Sequence, residues 1–599
     1  MSKNSQKKIS FLKIILRVIP IQFRATPWHS AIVFCIGVIN GLTVTASVIA
    51  TQRLFDIITL AAAGQAEFTN CVISLIIFAA IAFENQIVNG IYNAYTEMVF
   101  GISQGKINTL LHRKLKYIDP VKFEDAAFLD DLNKAREGAV AVPRFSMTLF
   151  IILSFYLCYF ITLGLYLFRM KPILLLTLII SFIPALMGQI VRGKVFINLE
   201  QQIAPLRREY EYYQRTLCDR EYFKETRILG AFHFFYQRFN ETMSLLSHKQ
   251  WRVERKTALL KLCLNITTLG GMAVVSIMLF SATMSKEITV GTFAAVFASL
   301  GQLFSIMQEI VTQQVGSMNQ NIGKVFNFIH MIDAVERVGI DGSLCFTKGI
   351  TVVNVTFAYP GRDEPAVKNV SLEIADGETI AIVGENGAGK STLVRLLMGI
   401  YRPSEGMITV GGLDTAVTTP TSIYKGISGV FQKYQRYKMS LRENVTISNT
   451  EYTTDNVKIN TALHESDIEL NDDIDLDTML SSEFDGIDLS GGQWQRIAIA
   501  RGLYRENGFI VLDEPTSAID PIEETNIYAK FQQLAEKKSA IIVTHRLGSA
   551  KLAHRIIVMD AGKIVDVGTH EELLARPGKY NDMWTAQAQW YKREDTEQR

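Results

Sequence analysis

The sequence predicts a membrane-spanning half of six α-helices, followed by an α/β half that contains a parallel sheet. Six apolar stretches lie before residue 330, and short β-branched runs alternate with helical segments after residue 345. Residues 1–330 carry 33 Lys and Arg against 20 Asp and Glu, a net charge of +13, whereas the rest carries 28 against 39, a net charge of −11. This division is typical of a membrane domain joined to a soluble domain, and it argues against a nucleic-acid-binding protein.

The apolar stretches have the length of membrane-spanning helices. A span needs about 20 apolar residues, because the hydrocarbon layer is about 30 Å thick and a helix rises 1.5 Å per residue. A shorter segment at residues 9–23 carries Lys13 and Arg17 and is interrupted by Pro20, so we expect a helix on the membrane surface there. The six predicted spans are residues 31–51, 70–92, 145–168, 172–191, 260–283 and 290–312.

The distribution of Lys and Arg predicts the orientation in the membrane. The N-terminal segment and the long connections after the second and fourth spans are rich in Lys and Arg, whereas the other connections are short or poor in charge. Because such connections stay in the cytoplasm, we expect a multi-pass protein of the cell membrane, of the bacterial plasma-membrane type, with the N-terminus and the α/β half inside. Two helical patterns in the long connections, 123–135 and 220–241, are either solvated helix ends or docking surfaces for the α/β half.

A phosphate-binding motif marks the start of the α/β half. Gly384, Gly389, Lys390 and Ser391 form the pattern GxxxxGKS between a predicted strand at 379–383 and a helix. Glycines let backbone N–H groups surround phosphate oxygens, the helix N-terminus adds a positive dipole end, the Lys reaches the β and γ phosphates, and the Ser hydroxyl binds Mg²⁺. The context predicts a site for a nucleoside triphosphate.

Two later strands end in side chains suited to phosphoryl transfer. The strand at 509–514 ends in Asp513, expected to hold Mg²⁺, and Glu514, expected to polarise the attacking water. The strand at 540–545 ends in His545, which is placed to contact the γ phosphate. By itself, an Asp-Glu pair at the end of a strand is often only part of a turn, and a single His is more often structural than catalytic. Three such strand ends predict one site, because ligands of open α/β sheets bind at the carboxyl ends of the strands.

Residues 489–493 spell LSGGQ, and with the motifs above they closely resemble the nucleotide-binding domain of ABC proteins. The resemblance covers about 345–599 and extends through the six-span pattern to the exporter type of ABC half-transporter. It implies an all-α exporter-type transmembrane domain followed by an α/β P-loop ATPase domain. The predicted N-terminal segment, transmembrane domain, linker and nucleotide-binding domain are residues 1–25, 26–325, 326–345 and 346–599.

The resemblance also assigns site residues. Tyr359 is expected to stack on adenine, and Gln432 to sense Mg²⁺ and couple to the membrane half. The residues expected to bind ATP are Tyr359, Gly384, Asn386, Gly387, Gly389, Lys390, Ser391, Thr392, Ser490, Gly491, Gly492, Gln493 and Asp520. The expected catalytic residues are Glu514, His545 and Gln432, and the expected Mg²⁺ ligands are Ser391, Gln432 and Asp513.

The LSGGQ segment implies that two chains assemble. The resemblance implies that the signature of one subunit covers the ATP held by the other, so closure of two nucleotide-binding domains drives the membrane half. Because this chain carries every expected catalytic side chain, a homodimer is the simplest arrangement, and a heterodimer with a different half-transporter is the alternative.

The substrate is less closely defined by the sequence. Segments 431–448 and 483–502 look like those of lantibiotic and related peptide exporters, so we expect export of a peptide or another amphipathic substrate. A multidrug exporter, a lipid exporter or flippase, and an importer on the same frame are the alternatives. Glu84 lies within the second span, where a carboxylate either faces a translocation path or pairs within the bundle. A DNA-repair ATPase of this class would lack the spans, and a regulatory channel would be expected to lose Glu514 or His545.

Overall fold

The computed structural model describes residues 11–468, 474–514 and 538–594. The chain forms two compact units: unit 1 comprises Met1–Leu115 and Asp131–Ala334, and unit 2 comprises Lys116–Asp130 and Val335–Arg599. A segment of the predicted membrane domain, Lys116–Asp130, therefore belongs to the α/β unit.

Unit 1 is built from long helices. They are α1 (Phe11–Ala25), α2 (Pro27–Ala62), α3 (Phe68–Lys116), α4 (Ala126–Ile151), α5 (Leu157–Met170), α6 (Pro172–Cys218), α7 (Phe223–Ile228), α8 (Phe232–Met284), α9 (Val290–Glu309) and α10 (Val315–Ile332). Single π-helical turns at Ile152–Tyr156 and Ile310–Gln314 join α4 to α5 and α9 to α10. Because α10 continues to Ile332, the first part of the predicted linker is helical.

Five helical segments in the described part of the chain are long and apolar enough to cross a membrane: Pro27–Ala62, Phe68–Lys116, Ala126–Met170, Phe232–Met284 and Val290–Glu309. The fourth predicted span falls in α6, which opens with the shorter apolar segment Pro172–Ser181. The 53 residues of α8 extend for about 80 Å at 1.5 Å per residue. The helix is thus more than twice as long as the hydrocarbon layer is thick, so its polar part lies outside the layer.

Polar side chains near the middle of the second span form a seam with the first. Asn40 Nδ2 donates to Asn89 Oδ1 at 3.3 Å, and Asn85 Nδ2 donates to Thr43 Oγ1 at 3.0 Å. Such pairs are a common packing device between membrane helices. Glu84 is not part of this seam, and its side chain is exposed on the surface of the single chain.

Unit 2 contains two sheets. The strands are β1 (Ile350–Phe357), β2 (Val367–Ile374), β3 (Thr379–Gly384), β4 (Glu405–Val410), β5 (Leu413–Asp414), β6 (Ile427–Val430), β7 (Phe509–Asp513), β8 (Ser539–Val543), β9 (Arg555–Asp560) and β10 (Lys563–Gly568). An antiparallel sheet has the order β2-β1-β4-β5, and a larger sheet has the order β10-β9-β3-β8-β7-β6, with β10 antiparallel and the other neighbours parallel.

The strands of the larger sheet that lie between neighbours are continuous apolar runs, as expected when both faces of a parallel sheet are covered. Every residue of β3, β7 and β8 is buried. The helices of unit 2 are α11 (Lys390–Leu397), α12 (Pro420–Tyr424), α13 (Leu441–Thr446), α14 (Asn456–Glu465), α15 (Gly491–Tyr504), α16 (Leu547–Ala550), α17 (His570–Ala575) and α18 (Lys579–Glu594). Side chains of α11 pack with both sheets in one core.

The segment Lys116–Asp130 is attached to the α/β unit at two points. The backbone N–H of Arg337 donates to the Tyr117 carbonyl at 2.6 Å, and the buried Arg337 guanidinium lies 4.0 Å from Asp119. At the other end, Glu124 Oε1 accepts a hydrogen bond of 2.6 Å from the Tyr401 hydroxyl. The segment includes a 3₁₀ turn, Pro120–Glu124. The flanking helices α3 and α4 belong to unit 1 except for Lys116 and Ala126–Asp130.

Candidate nucleotide-binding site

Three neighbouring parallel strands bring the predicted site residues to one edge of the larger sheet. β8 lies between β3 and β7, with Ile382 opposite Val543 and Asp513 opposite Val543. The loops after these strands begin with Glu385, Glu514 and Thr544. Lys390 lies more than 100 residues before Asp513, Glu514 and His545 in the sequence, yet the strand order places these groups together.

The backbone of the phosphate-binding loop requires its glycines. Gly384, Gly387 and Gly389 have φ angles of 153°, 84° and 96°, which residues other than glycine rarely adopt. A Cβ at Gly389 would lie 2.5 Å from the Ala366 carbonyl oxygen, whereas no atom lies within 4 Å of a Cβ at Gly387. The loop therefore packs tightly where it meets the sheet and is open at Gly387, as a phosphate cradle must be.

Lys390, at the start of α11, is held inside this loop. Its ammonium donates to the carbonyls of Gly384 and Glu385, both at 2.9 Å. Burial lowers the pKa of Lys390, while the carboxylates of Glu514 and Asp513 oppose that shift. These carbonyls hold the charge in a position from which it can turn to a phosphate group. Asn386 lies at the exposed rim of the same loop.

Ser391 and Asp513 form a pair suited to Mg²⁺. The Ser391 hydroxyl donates to Asp513 Oδ1 at 3.4 Å, and burial, with a contribution from the Glu514 charge, raises the pKa of the Asp513 carboxyl. The described residues contain no group of three or more His, Cys, Asp and Glu arranged for a metal ion. One carboxylate and one hydroxyl fit Mg²⁺, which proteins often bind through few side chains together with substrate phosphates.

Glu514 is fixed from two sides. Gln432 Nε2 donates to one carboxylate oxygen at 2.6 Å, and His545 Nε2 contacts the other. Glu514 has a φ angle of 49°, a left-handed conformation that is uncommon for residues other than Gly and that is found at functional sites. Its side chain is only 16% exposed, against 39% for His545. Gln432 and His545 therefore fix the orientation of the Glu514 carboxylate at the end of β7.

Tyr359 lies beside the phosphate-binding loop. Its hydroxyl shares a hydrogen bond of 2.9 Å with Thr392, and its ring meets that of Tyr401 edge-on at 5.9 Å between centroids. Arg395 Nη1 lies 3.4 Å from the Tyr359 hydroxyl and 3.1 Å from that of Tyr401. Arg395 and Tyr401 carry no sequence motif that marks them as residues of this site.

The signature segment begins α15. Ser490 is its N-cap and exchanges hydrogen bonds with Gln493, forming a capping box. The carbonyl of Gly491 accepts a hydrogen bond of 2.8 Å from Tyr434, two residues after Gln432, and Gly492 has an open environment. In the described ranges, no hydrogen bond or ion pair joins residues 490–493 to the phosphate-binding loop, Asp513, Glu514 or His545. Asp520 lies outside the described residues.

The motifs of this site also occur in known proteins. Residues 367–517 match the ABC transporter family. The chain is 27% identical over 598 residues to the subtilin transport ATP-binding protein SpaT of Bacillus subtilis, covering 97% of this chain and 96% of that protein. Residues 367–517 therefore carry an ABC transporter domain. The chain is also 29% identical over 401 residues to the nisin transport ATP-binding protein NisT of Lactococcus lactis, covering 65% of this chain and 67% of the relative.

Two further similarities concern the exporter type of ABC protein. The chain is 34% identical over 301 residues to the ATP-dependent lipid A-core flippase of Salmonella typhimurium, about half of each protein. Its fold matches that of a bacterial Atm1-family ABC exporter with ATP bound, with a TM-score of 0.75, 22% identity, and coverage of 95% of this chain and all of the other. The predicted exporter-type half-transporter, with its membrane and ATPase domains in one chain, is confirmed. The ABC transporter domain and the transport relatives support ATP hydrolysis coupled to export across a membrane.

Proposed function

We propose that this ABC exporter is a homodimer with two working ATP sites, each formed by the phosphate-binding loop of one chain and the signature of the other. Among the residues that the structure describes in one chain, the 490–493 segment makes no bond to the loop that carries Lys390, although the helix N-terminus at Ser490 is an anion-binding feature. This separation carries the proposal. A partner's signature would complete each site, because both halves of the chemistry are present in every copy.

The structure supports specific roles at each site. Glu514 polarises the attacking water, with its carboxylate held by Gln432 and His545. Lys390 and the loop glycines bind the β and γ phosphates, and Tyr359 stacks on adenine. Ser391, Asp513 and Gln432 would hold Mg²⁺, which would supply positive charge that stabilises the transferred phosphoryl group.

Nucleotide-driven closure acts on the membrane helices through the segment Lys116–Asp130. This segment is bonded to the α/β unit at Arg337 and at Tyr401, and it continues directly into α3 and α4. Binding shifts the membrane equilibrium only by its differential affinity for the closed pair. A segment held at both ends transmits that difference into the two helices that flank it.

A pair of inactivating changes tests the shared-site arrangement. Lys390→Ala disables the loop, and Ser490→Arg blocks the signature. With the changes on separate, differently tagged chains, the mixed dimer keeps one intact shared site and about half the ATPase activity. With both changes on one chain of the dimer, both shared sites are damaged and activity is lost. The opposite pattern would show that each site is complete within one chain.

The exported substrate is proposed to be a peptide or a related amphipathic product. The match to SpaT extends over nearly the whole chain and includes the membrane half, whereas the match to the lipid A-core flippase covers about half of it. Lipid export is the second candidate, favoured by the higher identity of that shorter match. Uptake into inside-out vesicles, measured with amphipathic peptides, fluorescent lipids and cationic dyes, distinguishes them. ATP-dependent accumulation of lipids or dyes without peptides would refute the peptide assignment.

Glu84 provides a sharper test of the translocation path. Its carboxylate is exposed in the single chain, unlike the neighbouring Asn85 and Asn89, which bond to α2. If it faces the path, Glu84→Gln changes the affinity for transported compounds, while Asn89→Ala changes mainly stability. Unchanged affinity for every transported compound would remove Glu84 from the path.

We place the N-terminus and the α/β unit in the cytoplasm, in a plasma membrane of the bacterial inner-membrane type. The Lys- and Arg-rich connections support this orientation. Labelling of single cysteines in intact cells tests it: a cysteine introduced at Ser285 should react with an impermeant reagent, and one introduced at Ser549 should not. The reverse labelling pattern would overturn the orientation.

A further inference from the structure

A groove between α2 and α5 in unit 1 combines an apolar wall with two arginines. Its volume is about 560 Å³. The groove is lined by Leu42, Thr45, Ala46, Ile49, Gln52, Arg53, Thr162, Leu165, Tyr166, Arg169 and Met170. The two helices are joined at its base by hydrogen bonds, so its shape is set by the fold and not by surface side chains alone.

The base of the groove is a fixed polar ladder. Thr45 and Thr162 share a hydrogen bond of 2.7 Å between hydroxyls, and the Tyr166 hydroxyl donates to Gln52 Oε1 at 2.8 Å. The amide of Gln52 donates in turn to Thr292 of α9 at 3.0 Å. These groups use their bonding capacity on each other, so they hold the helices and leave ligand recognition to the residues at the rim.

Arg53 and Arg169 stand at the end of this groove, and both side chains are exposed. Among the residues that the structure describes, neither guanidinium has a carboxylate or hydrogen-bond partner. The nearest acid in sequence, Asp56, is directed to α9: it accepts from the Gly291 backbone N–H at 2.9 Å and from Gln52 at 3.5 Å. Two unneutralised guanidinium groups on one groove select an anion, and guanidinium groups bind phosphate in bidentate geometry.

The apolar part of the groove has the depth of one lipid leaflet. The large side chains on its wall are exposed: Leu42 by 47%, Ile49 by 36% and Leu165 by 59%. From Leu42 to Arg53 is eleven residues of helix, about 16 Å at 1.5 Å per residue, and half of the hydrocarbon layer is about 15 Å. An acyl chain along this wall would therefore place a headgroup at the arginines.

The geometry points to a binding site for an anionic phospholipid, with its phosphate between Arg53 and Arg169 and one acyl chain along the α2–α5 groove. The site lies in the leaflet at which α2 and α5 end, which is the outer leaflet under the orientation proposed above. Its recognition chemistry differs from that of the nucleotide site, and the binding test below does not depend on the orientation or on the exported substrate.

Lipid titration followed by native mass spectrometry of the full-length dimer tests this site. Phosphatidylglycerol and phosphatidylcholine with identical acyl chains are compared at equal concentration. One arginine near an anionic lipid surface contributes roughly a fivefold preference, so the pair predicts about a 25-fold preference for phosphatidylglycerol. Arg53→Gln with Arg169→Gln should abolish this preference, so that the two lipids bind equally well. Either change alone should lower the preference by a factor of about five.

Matched variants keep the test decisive. Arg53→Lys with Arg169→Lys retains the charges and should retain most of the preference, which excludes misfolding as the cause of the loss. Lys286→Gln removes an exposed cation that does not line the groove, and it should leave the preference unchanged.

Each other outcome would overturn the proposal. The double Gln variant could keep the phosphatidylglycerol preference of the unchanged protein, or Lys286→Gln could lose as much of that preference as the double Gln variant does. Either result would assign the preference to general surface charge. Displacement of the bound lipid by millimolar inorganic phosphate would identify a free-anion site. Loss of the dimer in the double Gln variant, with the lipid preference kept, would identify the groove as a contact between copies.

Discussion

The contact of Glu124 with Tyr401 and Arg395 gives a direct test of how the segment Lys116–Asp130 is held within unit 2. Glu124 Oε1 lies 2.6 Å from the Tyr401 hydroxyl and 3.4 Å from Arg395 Nη1. A hydrogen bond to a charged group contributes about 1.5–3 kcal/mol when buried. The Glu124 and Arg395 side chains are 43% and 37% exposed, and solvent screening reduces the contribution to about 1 kcal/mol.

Glu124→Ala should therefore weaken the attachment of the segment Lys116–Asp130 by about fivefold, since 1.36 kcal/mol corresponds to a factor of ten. Amide hydrogen exchange measured by mass spectrometry reports this local opening directly. Peptides covering 117–124 should exchange about fivefold faster in the variant, with little change in β3 or β7. Tyr401→Phe should produce a similar increase, and the two changes together should cost less than their sum because they remove the same bond.

Glu137→Gln is the matched control. It removes a carboxylate from an exposed ion pair with Lys324 in unit 1, and it should leave exchange of 117–124 unchanged. Exchange that is unaffected by Glu124→Ala, or effects of the Glu124 and Tyr401 changes that add fully, would refute the attachment described here.

Three further predictions concern the ATP site. Glu514→Gln should lower ATP turnover by at least about 100-fold while ATP binding is kept and the closed dimer accumulates; equal turnover in single-turnover assays would contradict the role of Glu514. Burial raises the pKa of Asp513, so a proton competes with Mg²⁺ for this carboxylate up to a higher pH than it would for an ordinary Asp. Mg²⁺ affinity should therefore rise with pH in the range above the ordinary pKa of an Asp side chain. Asp513→Asn should remove that rise in a Mg²⁺ titration at several pH values, and an unchanged pH dependence would assign it to another group. Gly389→Ala should abolish folding of the loop because its Cβ would lie 2.5 Å from the Ala366 carbonyl, whereas Gly387→Ala should cost about 1–2 kcal/mol of backbone strain and lose mainly nucleotide affinity. Thermal unfolding and binding of a fluorescent ATP analogue separate the two, and equal behaviour would refute the packing argument.

Several features of the ATP site could be predicted from the sequence, because each depends on the conformation of a few consecutive residues. The φ angles of Gly384 and Gly389, the helix N-terminus at Lys390 and the capping box at Ser490 each depend on a few consecutive residues. The strand ends that carry Asp513 and His545 were predictable as well, since continuous apolar runs bounded by polar residues indicate buried parallel strands.

The contacts that orient the site were not predictable in the same way. Gln432 and Glu514 are 82 residues apart, and Tyr401 and Glu124 are 277 residues apart. Arg395 and Tyr401 carry no motif of their own, and their importance follows only from the segment that packs on them. The assignment of residues 116–130 to the α/β unit has the same origin, because the sequence pattern left both a solvated helix end and a docking surface open.

The sequence by itself determined that this chain has apolar helices long enough to span a membrane and an ATPase domain of the ABC class. Hydrophobicity, glycine conformation and helix capping act over short stretches, so they are encoded locally. The tertiary structure alone decided which carboxylate faces which donor, which connection is bonded to the ATPase domain, and that Arg53 and Arg169 share one groove. Those facts depend on the packing of distant segments, and no short-range pattern in a single sequence specifies such packing.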